Sequence, residues 1–329
     1  MISSSQRGTV RRGVRICRLL MLAAALWLGC RASENERAPD ATASLRSPSA
    51  GGANAAPHPD PQAGSFAARP AVDARIVSLS PLATRFLVEL GVGARIVAVD
   101  PASTALPGFE DEPTTSLPDA ARFAPDFVIV PALPSDAAAV SGLDPRTSRI
   151  VELAPHDLED VTALCRSLGV TLVGEEEALQ LERRILRPLS LVAGQSPPDG
   201  RPGVVAIVAT SPLVIAGGHS FETDLIEIAG GTSLTHGGDE PRRSLGREAL
   251  ARLDPDLILV TSTPEPDPVE QERIALELGE LAPVVFFPFE SEGFWLDEPE
   301  RVAARLRDLI AEFRPQSPPV AESSSSSAR

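Results

Sequence analysis

Short apolar runs alternate with amphipathic stretches through residues 72–314. Residues 76–79, 96–99, 127–130, 204–208 and 257–260 are apolar almost without interruption. A strand with one solvated face would alternate, so these runs predict strands covered on both faces, as in a parallel sheet flanked by helices. A short unit also recurs. Residues 121–130 read Ala-Arg-Phe-Ala-Pro-Asp-Phe-Val-Ile-Val and residues 251–260 read Ala-Arg-Leu-Asp-Pro-Asp-Leu-Ile-Leu-Val. Each is a helix end, a Pro-Asp turn and a strand. Upstream of each lies a further strand and helix, the helices ending at Leu90-Gly91 and Ala229-Gly230-Gly231.

These elements predict an α/β protein of two Rossmann-like βαβ lobes, residues 71–155 and 201–314, with one continuous doubly wound domain as the alternative. Residues 156–200 connect them. An amphipathic helix over 156–168 is closed by Gly169, and a second begins at Gly174-Glu175-Glu176-Glu177 and runs to about Ala193. Acids in its first turn suit the helix dipole. At ~1.5 Å per residue it spans roughly 28 Å, a strut long enough to join two lobes, and Pro188 should kink it.

The flanks are different. Arg7, Arg11, Arg12, Arg15 and Arg18 precede an uncharged stretch, residues 19–29, too short for a good bilayer span. Residues 1–30 thus predict an export signal. Leu26-Trp27-Leu28-Gly29-Cys30 resembles a lipoprotein lipobox, which makes Cys30 a lipidation site; the alternative is cleavage further on with Cys30 incidental. Residues 31–70 are rich in Ala, Ser, Pro and Gly without periodicity and predict a disordered tether. Residues 315–329, with five serines at 323–327, predict a frayed tail. With Cys17 removed and Cys30 acylated, Cys165 is the remaining thiol, on an apolar helical stripe, so no internal disulfide can form.

Composition narrows the function. The 329 residues carry a formal net charge of -15, and every basic side chain is arginine. Loss of the arginine-bearing leader makes the chain more acidic still, which argues against nucleic acid as a partner. No nucleophile–base pairing, phosphate loop or dinucleotide fingerprint is visible, so an enzyme is not expected. Gly218-His219-Ser220-Phe221-Glu222 lacks the closing glycine of a nucleophile elbow. Four histidines, one of them His58 in the tether, are few for a site of converging imidazoles, so no metal ligands are assigned.

Gly217-Gly218-His219 precedes the helix from Phe221 and offers flexible backbone N–H groups to a ligand, with Ser220 as a helix cap in the alternative. Arg242, with Arg243 beside it, is a candidate for anionic ligand groups or is a solvated charge. Ligands of parallel sheets bind beyond the carboxyl ends of the strands, where Ser80, Pro81, Pro131 and Ser211 are expected, unless these are plain turn residues.

Two stretches carry a family resemblance. They are Arg75-Ile76-Val77-Ser78-Leu79-Ser80-Pro81 with residues 90–99, and residues 221–231 with Ser244-Leu245-Gly246-Arg247-Glu248 and the Asp254-Pro255-Asp256 turn. In order and spacing these resemble the helical-backbone (class III) periplasmic binding proteins of ABC importers, the receptors for vitamin B12, ferric siderophores and haem. The resemblance implies two lobes joined by a long backbone α-helix and a ligand cleft between them. It further implies a monomeric receptor, with no covalent cofactor, that binds a corrinoid or ferric chelate and passes it to a permease; the alternatives are an orphan lipoprotein of the same fold in sensing or assembly and a direct Zn/Mn receptor. It places Phe294 and Trp295 in the cleft, with a core plug as the alternative for Trp295. Asp136 and Glu248 fall near the acids that dock on the permease, although both could be ordinary helix-start acids. Residues 100–117 are shorter than is usual in the family and lack its aromatics.

Overall fold

The computed structural model describes residues 71, 73–133, 142–290 and 293–313, all within one compact unit, Arg69–Arg329. The leader with Cys30, the tether, Asp136 and the tail lie outside the described residues. Among the described residues no helix is long and apolar enough to cross a membrane.

The first half builds a four-stranded sheet in the order β2-β1-β3-β4, from β1 (Ile76–Ser78), β2 (Ile96–Val99), β3 (Phe127–Val130) and β4 (Arg149–Glu152). All three pairings are parallel. β1 and β3 are buried throughout, as their unbroken apolar runs require, whereas edge strand β4 exposes Arg149 and Glu152. The crossover from β1 to β2 is α1 (Pro81–Glu89). The crossover from β2 to β3 holds only 3₁₀ turns, Pro101–Ala105 and Leu117–Phe123. Pro101, Pro107, Pro113 and Pro118 recur there and remove the amide donors that a longer helix needs.

The second sheet has the order β10-β9-β5-β6-β8. Its members are β5 (Gly203–Thr210), β6 (Leu213–Ala216), β8 (Arg242–Ser244), β9 (Leu257–Val260) and β10 (Val284–Phe286), with β7 (Thr232–Ser233) pairing on β5. β5, β9 and β10 run parallel. β6 and β8 run antiparallel, which corrects the expectation of parallel strands alone. The apolar run that starts at Val204 turns back at Ser211-Pro212 as a hairpin instead of entering a helix. Helices α5 (Phe221–Ile228), α6 (Arg247–Ala251), α7 (Pro268–Leu278) and α8 (Pro299–Ala311) complete this half.

The repeated Pro-Asp turn does the same work twice. In the first sheet Asp126 accepts the Arg75 N–H at 2.7 Å and returns its own N–H to the Arg75 carbonyl at 2.8 Å. In the second, Asp256 accepts the Gly203 N–H at 2.6 Å and returns its N–H to the Gly203 carbonyl at 2.8 Å. Each aspartate therefore fixes the start of its own strand, β3 or β9, against the start of the neighbouring one. Ala124 and Asp254 each occupy a left-handed conformation two residues earlier, φ 45° and 50°, so the geometry as well as the sequence is repeated.

Between the sheets, α2 (Leu158–Leu164) passes through a π turn, Cys165–Gly169, directly into α3 (Val170–Val173). The helix does not stop at Gly169 as expected. A Cβ there would stand 3.1 Å from the Ala178 methyl, so this glycine is a contact point between helices, and the break comes at Gly174 with φ 102°. α4 (Glu175–Gln195) then runs 21 residues, continuous across Pro188. One apolar core reaches from Ile76, Phe86 and Ile129 through Leu172, Leu181 and Leu189 to Val204, Leu225, Leu259 and Ile310. Both sheets thus share the helical layer between them. Val77, Ala98 and Val128 face a separate small cluster on the far side of the first sheet, as do Val205, Ile207 and Ile258 on the second.

Candidate functional site

β4 ends at Glu152, and the chain reaches α2 through Pro155 and His156. Asp157 caps α2, one carboxylate oxygen accepting the Asp160 N–H at 2.8 Å. Asp160 reaches back to accept the His156 N–H at 2.9 Å. Asp157 turns its other oxygen toward the loop before α5, and the Asp160 oxygen that takes the His156 N–H faces the same loop. There His219 stands between them, Nδ1 2.7 Å from Asp157 and Nε2 3.2 Å from Asp160. The His156 ring lies edge-on to His219, centroids 6.0 Å apart. Ligand atoms of Asp157, Asp160 and His219 all fall within 4.8 Å of one another, close enough to share a metal ion.

Burial dominates the electrostatics. Asp157 is 7% exposed, and desolvation raises its carboxyl pKa, opposed by the Asp160 N–H and by His219. Behind it Asp224, buried on α5, accepts the Leu158 N–H at 2.8 Å. Burial pushes that carboxyl up to about 8, with Asp157, Glu159 and Glu227 adding repulsion.

Gly217 and Gly218 are not the flexible ligand cradle expected. The loop 236–241 lies directly on them: a Cβ on Gly217 would be 1.9 Å from the Glu240 carbonyl oxygen, and one on Gly218 2.4 Å from those of His236 and Gly238. Their missing side chains admit a backbone, and that packing fixes where His219 points. Ser220 caps α5. Ser80 likewise caps α1, with Pro81 as its first residue. Ser80, Pro81 and Pro131 all follow the carboxyl ends of first-sheet strands. Ser211 sits in the exposed β5–β6 turn, away from a strand–helix junction.

Arg242 is spoken for. Its guanidinium makes a bidentate pair with Glu222 at 2.8 and 2.9 Å, and Glu222 is 4% exposed, so the cation neutralises a buried carboxylate instead of awaiting an anionic ligand. Arg243 is exposed on β8. Phe294 and Trp295 are core. Trp295 is 1% exposed and packs against Phe86, centroids 6.0 Å apart; Phe294 meets Phe221 and Phe289 edge-to-face. This aromatic plug closes the second half onto α1 where an open cleft wall was expected. Among the described residues the Trp295 indole N–H has no hydrogen-bond partner. Glu248 is exposed in the first turn of α6. Cys165 is buried in the π turn, its thiol pushed up to about 12 by burial, which suits a core residue. An open cavity of about 570 Å³ is lined by Thr210, Leu213, Leu245, Arg247, Ile274 and Glu280, all in the second half.

His219 was legible as a candidate. His156, Asp157 and Asp160 were not, because two acids three residues apart at a helix start read as capping, and their partner lies far away in sequence.

By sequence the chain matches no family model and no curated protein. Solved structures do match it. The periplasmic vitamin B12 binding protein BtuF of Vibrio cholerae is 14% identical, over 74% of this chain and 100% of that one, at TM-score 0.53. An ABC transporter substrate-binding protein from Listeria monocytogenes is 16% identical, over 74% and 98%, at TM-score 0.56. The S. aureus protein IsdE, solved with heme, is 17% identical, over 72% and 98%, at TM-score 0.55. The chain has the fold of the helical-backbone periplasmic binding proteins: two α/β halves joined by a long α-helix.

Proposed function

We propose that this protein is the substrate-binding component of an ABC importer, exported and held at the membrane by a lipid on Cys30. In this reading it binds a metal chelate, a corrinoid or a ferric siderophore or haem, and delivers it to the permease. The fold carries the proposal: nearly the whole length of a B12 receptor and of a haem-bound protein superposes on this chain. The acidic charge and the leader suit an exported, soluble partner of small molecules. Glu248, exposed on α6, and Asp136, outside the described residues, are the proposed permease contacts. The ligand surface is drawn from the residues beyond the strand ends, Ser80, Pro81 and Pro131, and not from the plugged Phe294 and Trp295.

A thermal-shift panel of cobalamin, cobinamide, haem and ferric siderophores on the full chain tests this. A cognate ligand at about 100 times Kd adds about 2.7 kcal/mol, a rise of about 5–10 °C for a body of this size. No shift across the panel would overturn the chelate reading. Replacement of Glu248 by Arg is expected to abolish uptake while leaving ligand affinity intact.

A further inference from the structure

We propose that Asp157, Asp160 and His219, with His156 as a fourth donor, form a site for a divalent transition-metal cation of the zinc class. The cation fastens the start of α2 to the loop ahead of α5. This goes beyond the receptor reading and does not depend on it.

The donor set is mixed: two carboxylate oxygens and one imidazole nitrogen lie within 4.8 Å of one another, with a second imidazole edge-on at 6.0 Å. Imidazole with carboxylate suits Zn²⁺ and its neighbours better than Mg²⁺ or Ca²⁺, which prefer all-oxygen shells. The donors come from two separate elements and are held before any ion arrives. Capping bonds fix both aspartates, and loop 236–241 packed on Gly217 and Gly218 fixes His219.

Charge supplies an independent reason. Among the described residues the ion pairs of Asp157 and Asp160 are with His219 alone, while Glu159 adds a further negative charge beside Asp157. One imidazole carries at most a single positive charge against these three acids; a divalent cation supplies more, and a buried carboxylate such as Asp157 needs that compensation.

The test uses the exported full chain, stripped with EDTA and titrated with Zn²⁺ by calorimetry, then loaded with Co²⁺ for its visible spectrum. Expected are one high-affinity Zn²⁺ per chain and the d–d bands of a nitrogen-ligated, low-coordinate ion. Affinity should fall at least about tenfold in His219→Gln and in Asp160→Asn. It should stay unchanged in Glu270→Gln, a distant acid that pairs with Arg273 instead. No saturable uptake by the wild type, or undiminished uptake in His219→Gln, overturns the proposal and leaves a histidine–aspartate clasp only. Should His219→Gln melt too early to titrate, Asp160→Asn decides in the same way, because its amide oxygen can still accept the His156 N–H. A stripped protein that binds a chelate but no Zn²⁺ sinks this site and spares the receptor reading; Zn²⁺ binding with silence toward every chelate does the reverse.

Discussion

Replacing Arg242 by Ala removes both hydrogen bonds to Glu222 and leaves that carboxylate, 4% exposed, without its cation. Breaking a fully buried pair costs about 3–5 kcal/mol because the surviving charge is stranded. Here the arginine side chain is 39% exposed, so water screens part of the interaction and about 2–3 kcal/mol is the better figure. For a body of this size that is a fall of about 4–12 °C in melting temperature. The partner change Glu222→Gln keeps shape and drops the charge, so in the Arg242→Ala background it should restore part of the loss. A double-mutant cycle by calorimetric or chemical unfolding should then give a coupling of about 1.5–3 kcal/mol. The assignment would be refuted if Arg242→Ala left the melting temperature unchanged while weakening the binding of an anionic ligand, because the guanidinium would then be serving the ligand and not the fold.

Asp126→Ala and Asp256→Ala should each cost about 1 kcal/mol in urea unfolding by releasing a strand start, and being far apart should add in the double variant. Trp295 is the one tryptophan beyond the proposed leader, so the folded protein without that leader should emit in the blue and shift red on unfolding, and Trp295→Ala should cost about 3–5 kcal/mol; solvent-like native emission would contradict its burial. Cys165 should ignore a thiol reagent at pH 8 in the folded protein and react once urea exposes it, since burial keeps it protonated.

What the sequence disclosed depended on range. Unbroken apolar runs marked β3, β5 and β9 because burial on both faces leaves a local trace. β6 was hidden, since a strand ending in Ser-Pro reads equally as the entry to a helix, and the pairing with β8 that settles it is non-local. Gly169 was read as a stop because glycine commonly ends helices; what holds it in the helix is Ala178 on the next one. Arg242 looked free for the same reason, its carboxylate being on a helix 20 residues earlier. The Pro-Asp repeat was visible as a pattern, yet its bonds to Arg75 and Gly203 belong to the folded state. The cluster around His219 left least trace, joining a helix cap to a loop in the other half.

The contact between α1 and the segment at 293–297 has a consequence for biogenesis. Phe86 is covered by Trp295, Arg85 pairs with Asp297, and Gly293, at φ 87°, lies close to Leu82. A chain synthesised from its amino end delivers α1 early and its cover almost last, so the first sheet's helix waits, with an apolar side uncovered, until nearly the whole polypeptide has emerged. Products truncated before Gly293 are therefore expected to remain sticky and protease-sensitive in their first half, although every residue of the first sheet is present.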